Sequence, residues 1–259
     1  MKAFETIALS EPDKGLLEVT LSRPNQLNAL NMQTIDDLSH LIRELQGPLQ
    51  GKYQVVLLRG EGRAFSSGGD LTEFLTIYPE DKSIIENYIA KFLRLTKVWY
   101  ELPIPTIASV HGAVAGGGAS LALACDIRIA AENTKFQFVF SRIGLIPDMG
   151  AHYLLPKIIG EAKSLDLLYT GRPVSSKEAL EIGLVHQVVE GLTLQEKTIE
   201  YARPYLDGPL KVYQHIKQLI KSNQMTLDEI LNQETTIQTD RFKSEEFKRF
   251  INQFLQKKK

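Results

Sequence analysis

Two glycine-rich turns constrain this chain more than any other feature, because each follows a short apolar run and opens a helix. The first is Arg63-Ala64-Phe65-Ser66-Ser67-Gly68-Gly69-Asp70, and the second is His111-Gly112-Ala113-Val114-Ala115-Gly116-Gly117-Gly118. Glycine lets the backbone approach a ligand or another backbone closely, and the first N–H groups of a helix lack partners within it. Two such N–H groups aimed at one oxygen form an oxyanion hole. The plainer reading is that the glycines only permit tight turns and close helix packing. Neither turn is a nucleotide motif: no Lys-Ser/Thr ends a phosphate loop, and the glycine spacing is not GxGxxG.

Around these turns the first half alternates strand and helix signals. Leu16–Leu21 reads as a strand after a Pro12-Asp13-Lys14-Gly15 turn, and residues 23–28 as a loop. Ile35, Leu38, Leu41, Ile42 and Leu45 recur at helical spacing, with Asn31 as N-cap. Strands are expected over 53–58, 106–111, 126–131 and 136–138, and helices over 83–101 and 119–124. From Met149 helices dominate: 153–159, 162–169 and 177–182, with a strand at 184–188. Two longer amphipathic helices follow Gly208-Pro209, the last with Phe247, Phe250, Ile251, Phe254 and Leu255 on one face. The economical reading is a mixed αβ core over 1–195 and a helical C-terminal lobe over 196–259 of the same structural domain.

Composition narrows the partners. Thirty Lys plus Arg against 31 Asp plus Glu leaves a net charge of -1, without the basic excess of a nucleic-acid or membrane-surface protein. A single cysteine, Cys125, excludes an internal disulfide and a cysteine-based zinc cluster, and no acid or histidine spacing suggests another metal site. The N-terminus lacks a signal-peptide apolar core, and no stretch approaches the roughly 20 apolar residues of a membrane span. The expectation is a soluble, cytoplasmic protein.

Taken together and in order, the motifs resemble the crotonase (enoyl-CoA hydratase/isomerase) family. Arg23-Pro24 with Leu27-Asn28-Ala29-Leu30 resembles its early segment, and Ala64-Phe65-Ser66-Ser67-Gly68-Gly69-Asp70 its first oxyanion loop. The second glycine turn with Cys125-Asp126 resembles its second oxyanion element. Ile143-Gly144-Leu145-Ile146-Pro147 with Leu154-Leu155-Pro156, and Thr170-Gly171-Arg172 with the segment around Gly183-Leu184-Val185, match two later blocks. The resemblance is strong over about 15–190 and weak in the tail. It implies a spiral of ββα units with a helical trimerisation lobe, a homotrimer or dimer of trimers, and an acyl-CoA substrate in fatty acid metabolism. Coenzyme A would enter as part of that substrate, with no separate cofactor. The thioester oxygen would sit between the N–H groups of Ser66 and Gly117. CoA would be flanked by Asn25 and Leu27 and by Ala64, Ser66, Ser67, Gly68, Gly69 and Asp70, with Phe254 and Lys257 reaching it from the tail.

The departures carry more information. Hydratases of the family bear two glutamates where this chain has Ser120 and Phe140. Adding water across a conjugated thioester needs a base for the water and a proton donor for carbon, so ordinary hydratase chemistry is not expected. One carboxylate stands nearby, Asp148 in Ile146-Pro147-Asp148-Met149-Gly150. The placement resembles isomerase branches of the family, among them a Δ3,Δ2-enoyl-CoA isomerase and the ring-opening epoxyphenylacetyl-CoA isomerase. Double-bond migration needs one proton shuttle, a role Asp148 fits. Its local alternative is N-cap of the helix that follows. Hydrolysis of a short acyl-CoA and acyl-CoA binding without turnover are the rival functions. Asp70 reads as a cap or brace, and Glu73 as a solvated helix residue with a place facing the acyl pocket as the alternative. His111, His152, Cys125, Asp126 and Arg128 read as structural. Ile77, Tyr78, Leu95 and Trp99 are candidates for either an acyl pocket or helix packing.

Overall fold

The computed structural model describes residues 4–222 and 225–256. Contacts divide the chain into two compact units, Met1–Leu206 and Asp207–Lys259. The first unit opens with an antiparallel hairpin, β1 (Ile7–Asp13) and β2 (Leu16–Leu21). The sequence pattern makes Pro12–Gly15 whole the turn. Instead β1 runs through Pro12 to Asp13, and only Lys14 and Gly15, the latter at φ +83°, make the reversal. Pro12 is tolerated because β1 is the edge strand, where a missing N–H costs no ladder bond.

After α1 (Met32–Gln46), capped by the Asn31 side chain on the Thr34 N–H, come β3 (Val55–Gly60), α2 (Leu71–Ile77) and α3 (Lys82–Tyr100). They lead to β4 (Thr106–Val110), β5 (Ala113–Ala115), α4 (Gly116–Ala124), β6 (Ile127–Ala131) and β7 (Lys135–Gln137). Then follow α5 (Ala151–Ile159), α6 (Glu161–Thr170), β8 (Val174–Ser175), α7 (Ser176–Glu181), β9 (Gln187–Val189) and α8 (Leu194–Leu206). The main sheet has the order β1-β2-β3-β4-β6-β9 and is parallel beyond the hairpin; a second, three-stranded sheet has the order β5-β7-β8. The strand signal at 184–188 sits at 187–189 instead, since Leu184 and Val185 turn back to bond the Ala179 carbonyl.

Strand alternation assigns the core. Leu17, Val19, Leu21, Val56, Leu58, Ala108 and Val110 pack with α1, α3 and α4 residues in one cluster. Their neighbours Leu16, Val55, Leu57, Ile107 and Ile129 face the other way, onto Leu194 and Ala202 of α8. Both faces of the central strands are therefore covered, which is why they read as continuous apolar runs. α8 thus packs on the sheet and lies within the first unit, Met1–Leu206.

Among the described residues the second unit holds three helices where two are expected: α9 (Leu210–Lys221), α10 (Leu227–Phe242) and α11 (Glu245–Gln256). Thr226 and Glu229 form a reciprocal capping box at the start of α10. Lys243 and Ser244 separate α10 from α11, where the Ser244 hydroxyl accepts the Phe247 N–H.

Candidate active site

The first glycine turn is held by an asparagine in an unusual conformation. Asn28 has φ +54° and is 2% exposed; its side chain donates to the carbonyls of Glu61 and Ala64 at 2.9 and 2.8 Å and accepts the Arg23 N–H. A parallel bridge then joins the turn to Leu30. The Leu30 N–H donates to the Gly68 carbonyl at 2.7 Å, and the Asp70 N–H donates to the Leu30 carbonyl at 3.0 Å. In that pattern the Gly69 N–H takes no part and points to the opposite side.

Ser66 is not where the resemblance put it. Its N–H is committed to the Ala113 carbonyl at 3.1 Å, its carbonyl accepts the Ala115 N–H at 2.9 Å, and its side chain is fully buried. The hydroxyl donates to the Asn28 carbonyl. Ser66 therefore zips the first turn to β5, and an N–H already bonded within a strand bridge cannot serve an oxyanion.

The second turn delivers Gly117 into the first turn of α4, where its N–H has no intrahelical acceptor. A methyl group built on Gly117 would stand 2.9 Å from the Met149 sulfur and 3.8 Å from the Gly69 nitrogen, so any larger residue here would push the Met149 side chain aside. Gly69 and Gly117 line one cavity of about 80 Å³. Its walls are otherwise mostly apolar: Leu71, Phe74, Phe92, Val139, Phe140, Ile143, Leu145 and Met149, with Ser67 and Gly68 at the turn and Gly116 beside Gly117.

Asp148 is the one titratable side chain among the residues lining this cavity. The cap reading fails, because the N-cap of α5 is Gly150 and no side chain bonds there. Instead Asp148 Oδ1 is buried without a hydrogen-bond partner. Burial raises its pKa to about 6, with its own backbone N–H and the charge of nearby His152 pulling the other way. Phe140, at a position where hydratases carry a glutamate, is 5% exposed and forms part of the wall. Ser120 is fully buried, and its hydroxyl donates to the Asp148 carbonyl at 3.0 Å.

The remaining candidates fall outside the cavity lining. Asp70 caps α2 and pairs with Arg23 at 2.9 Å. Burial would raise its pKa, but Arg23 and the N–H groups of Glu73 and Thr72 outweigh burial and hold it below the usual carboxylate range. Glu73 is no solvated helix residue: it accepts the Met32 N–H at 2.9 Å and the Tyr88 hydroxyl at 2.7 Å. Burial and then Glu73 push the Tyr88 pKa upward. His111 bonds the Gly62 carbonyl, and burial lowers its pKa. His152 is exposed. Cys125 lies in the core against the Trp99 indole N–H, and Asp126 accepts from Thr106. Arg128 is buried on the carbonyls of Leu184 and Cys125, and desolvation lowers its pKa to about 10.

Asn25 is exposed and Leu27 half-buried on the loop after β2, beside the first turn, where the Ser67 N–H donates to the Leu27 carbonyl. Ala64 is buried behind that turn. Leu95 and Trp99 belong to the core, Ile77 does not line the cavity, and Tyr78 is 82% exposed; the wall is built by Phe74 and Phe92 instead. Lys257 lies outside the described residues, as does the side chain of Phe254. The sequence places Gly69 only beside CoA, giving the oxyanion N–H to Ser66, and shows Ser120 only as a lost acid. No local pattern distinguishes the Gly69 N–H from that of Ser66, because the pairing that occupies one of them is tertiary.

Residues 11–259 match the family model described as enoyl-CoA hydratase/isomerase. The chain is 34% identical over 252 residues to the 1,2-epoxyphenylacetyl-CoA isomerase of Escherichia coli (strain K12), spanning 96% of this chain and 95% of that one. An enoyl-CoA hydratase from Bacillus anthracis superposes with a TM-score of 0.91 at 28% identity, covering 98% of this chain and 97% of the other. One from Polaromonas sp. JS666 superposes with a TM-score of 0.91 at 27% identity, covering 97% of each. With this architecture and a match over nearly its whole length, the chain belongs to the enoyl-CoA hydratase/isomerase family and has the crotonase fold.

Proposed function

We propose that this protein moves a carbon–carbon double bond along the acyl chain of an enoyl-CoA thioester, with Asp148 as the proton shuttle. The observation that carries this reading is that Asp148 is the one acid–base group lining a cavity in which two backbone N–H groups, of Gly69 and Gly117, have no partner of their own. Asp148 takes a proton from the carbon next to the thioester, and the negative charge moves to the thioester oxygen. The N–H groups of Gly69 and Gly117 hold that oxygen. The same carboxyl then returns the proton two carbons further along, so no water or second acid is consumed. A carboxylate is a weak base toward such a carbon, so the enolate must be stabilised strongly. Losing one such donor costs about 3–4 kcal/mol in well-measured cases. A pKa near 6 suits a group that must both accept and release the proton close to neutrality.

Hydration would need a second group to activate water, and Phe140 stands in that part of the wall. The isomerase named in Escherichia coli supports the same choice. The loop of Asn25 and Leu27 and the turn from Ala64 to Asp70 are the proposed flank for the CoA moiety, which arrives as part of the substrate. The helical second unit is the proposed site of homotrimer assembly, and the cytoplasm, where acyl-CoA pools turn over, the proposed location.

The decisive experiment is a panel of 2-enoyl-, 3-enoyl- and 3-hydroxyacyl-CoA thioesters followed by absorbance and mass together. Isomerisation changes conjugation at constant mass. Uptake of one water would instead establish hydration, release of free thiol hydrolysis, and binding without turnover a non-catalytic role.

A further inference from the structure

Asp148 must aim its carboxyl at the cavity although that carboxyl has no hydrogen-bond partner on Oδ1 to hold it. The segment before it offers little anchorage, since Ile146 is 78% exposed and Pro147 has no N–H. After it the chain turns through two residues in the left-handed region, Met149 at φ +47° and Gly150 at φ +81°. Such a turn in a non-glycine residue persists only where its surroundings impose it. Here the Met149 side chain is buried against Gly117, the Ala151 N–H donates to the Asp148 carbonyl, and the Ser120 hydroxyl donates to the same carbonyl at 3.0 Å. Ser120 lies on α4, one turn beyond Gly117. Its other acceptor, the Gly116 carbonyl, is farther, at 3.4 Å.

We infer that Ser120 is a positioning residue: its hydroxyl ties the Asp148 backbone to the helix that carries the Gly117 N–H, setting base and oxyanion donor at a fixed separation. This rests on the proposed role of Asp148. Ser120 thus does more than mark a missing glutamate; it holds the acid that works in its place. A reacting group displaced by about 1 Å loses about 100-fold in rate, so one hydroxyl is enough to be felt.

The test uses the full chain and the 3-enoyl-CoA that the panel identifies. Ser120→Ala should lower kcat about 10- to 100-fold with KM changed less than about twofold. It should also move the acid limb of the kcat/KM profile toward the ordinary carboxylate range, as the released carboxyl gains water. If Ser120→Ala does not fold, Ser120→Cys, close in volume and a weak donor, carries the same expectation. Unchanged kcat and an unchanged acid limb overturn the inference, as does a rise in KM that accounts for the whole loss. Asp148→Asn separates the two claims. Full activity in that variant overturns the shuttle itself, whereas an inactive Asp148→Asn beside a wild-type-like Ser120→Ala overturns only the role of Ser120.

Discussion

Asp148 is costly to the fold in the state in which it is proposed to work. Its value of about 6 lies above the ordinary 3.8, so the folded protein holds this proton more tightly than the unfolded chain does. Stability from this group therefore falls as pH rises between those two values and stays low above them. Asp148→Asn is expected to raise stability near neutral pH by roughly 1–3 kcal/mol, with the gain vanishing near pH 4, measured by denaturant unfolding at both pH values. The same variant should lose at least about 100-fold in isomerisation rate. In the unaltered enzyme kcat/KM should rise with pH through about 6, as the carboxylate forms in the free protein. A profile flat from pH 5 to pH 8, as ranges of assay, would count against Asp148 as base.

The elements show why the site holds together. Asn28 combines a left-handed backbone with three side-chain hydrogen bonds, two of them to the carbonyls of Glu61 and Ala64 before and within the first glycine turn. Asn28→Ala removes the side chain that satisfies those carbonyls and puts alanine where φ is positive. A loss of about 2–4 kcal/mol in unfolding free energy is expected. Much of this level was readable in advance. The Asn31 cap and the apolar stripe of α1 lie where periodicity put them, because both are local properties. The partners of Asn28 were not readable: Glu61 and Ala64 lie more than a whole helix away in sequence and meet it only when β2 and β3 pair. Glu73 is similar. A carboxylate at the start of a short helix gives no sign that it will bond the first residue of α1 and Tyr88 on α3.

For the first unit as a whole, the second face of the sheet decides where the chain can be cut. Leu16, Val55, Leu57, Ile107 and Ile129 are covered by α8. A chain ending at Leu206 is expected to unfold cooperatively, while one ending at residue 195 should expose that face and lose the transition, checked by thermal melts of the two truncations. The proposed trimer is checked separately by sedimentation of the full chain, and a stable monomer would remove the assembly role from the helical unit.

What the amino-acid order determined by itself is the family and the parts list: two glycine turns, the strand and helix periods, an acid after the proline, and two absent glutamates. These are contiguous patterns, and their physics is local or carried by motif order. Only the tertiary structure decided which N–H groups remain open. Ser66 and Gly69 are three residues apart on one turn, yet one is closed by β5 and the other left facing the cavity. It also decided that Asp148 is not a cap and that Ser120 grips its carbonyl. Hydrogen bonds between distant segments form only after the sheet and α4 have packed, so the choice among neighbouring donors is made by the fold.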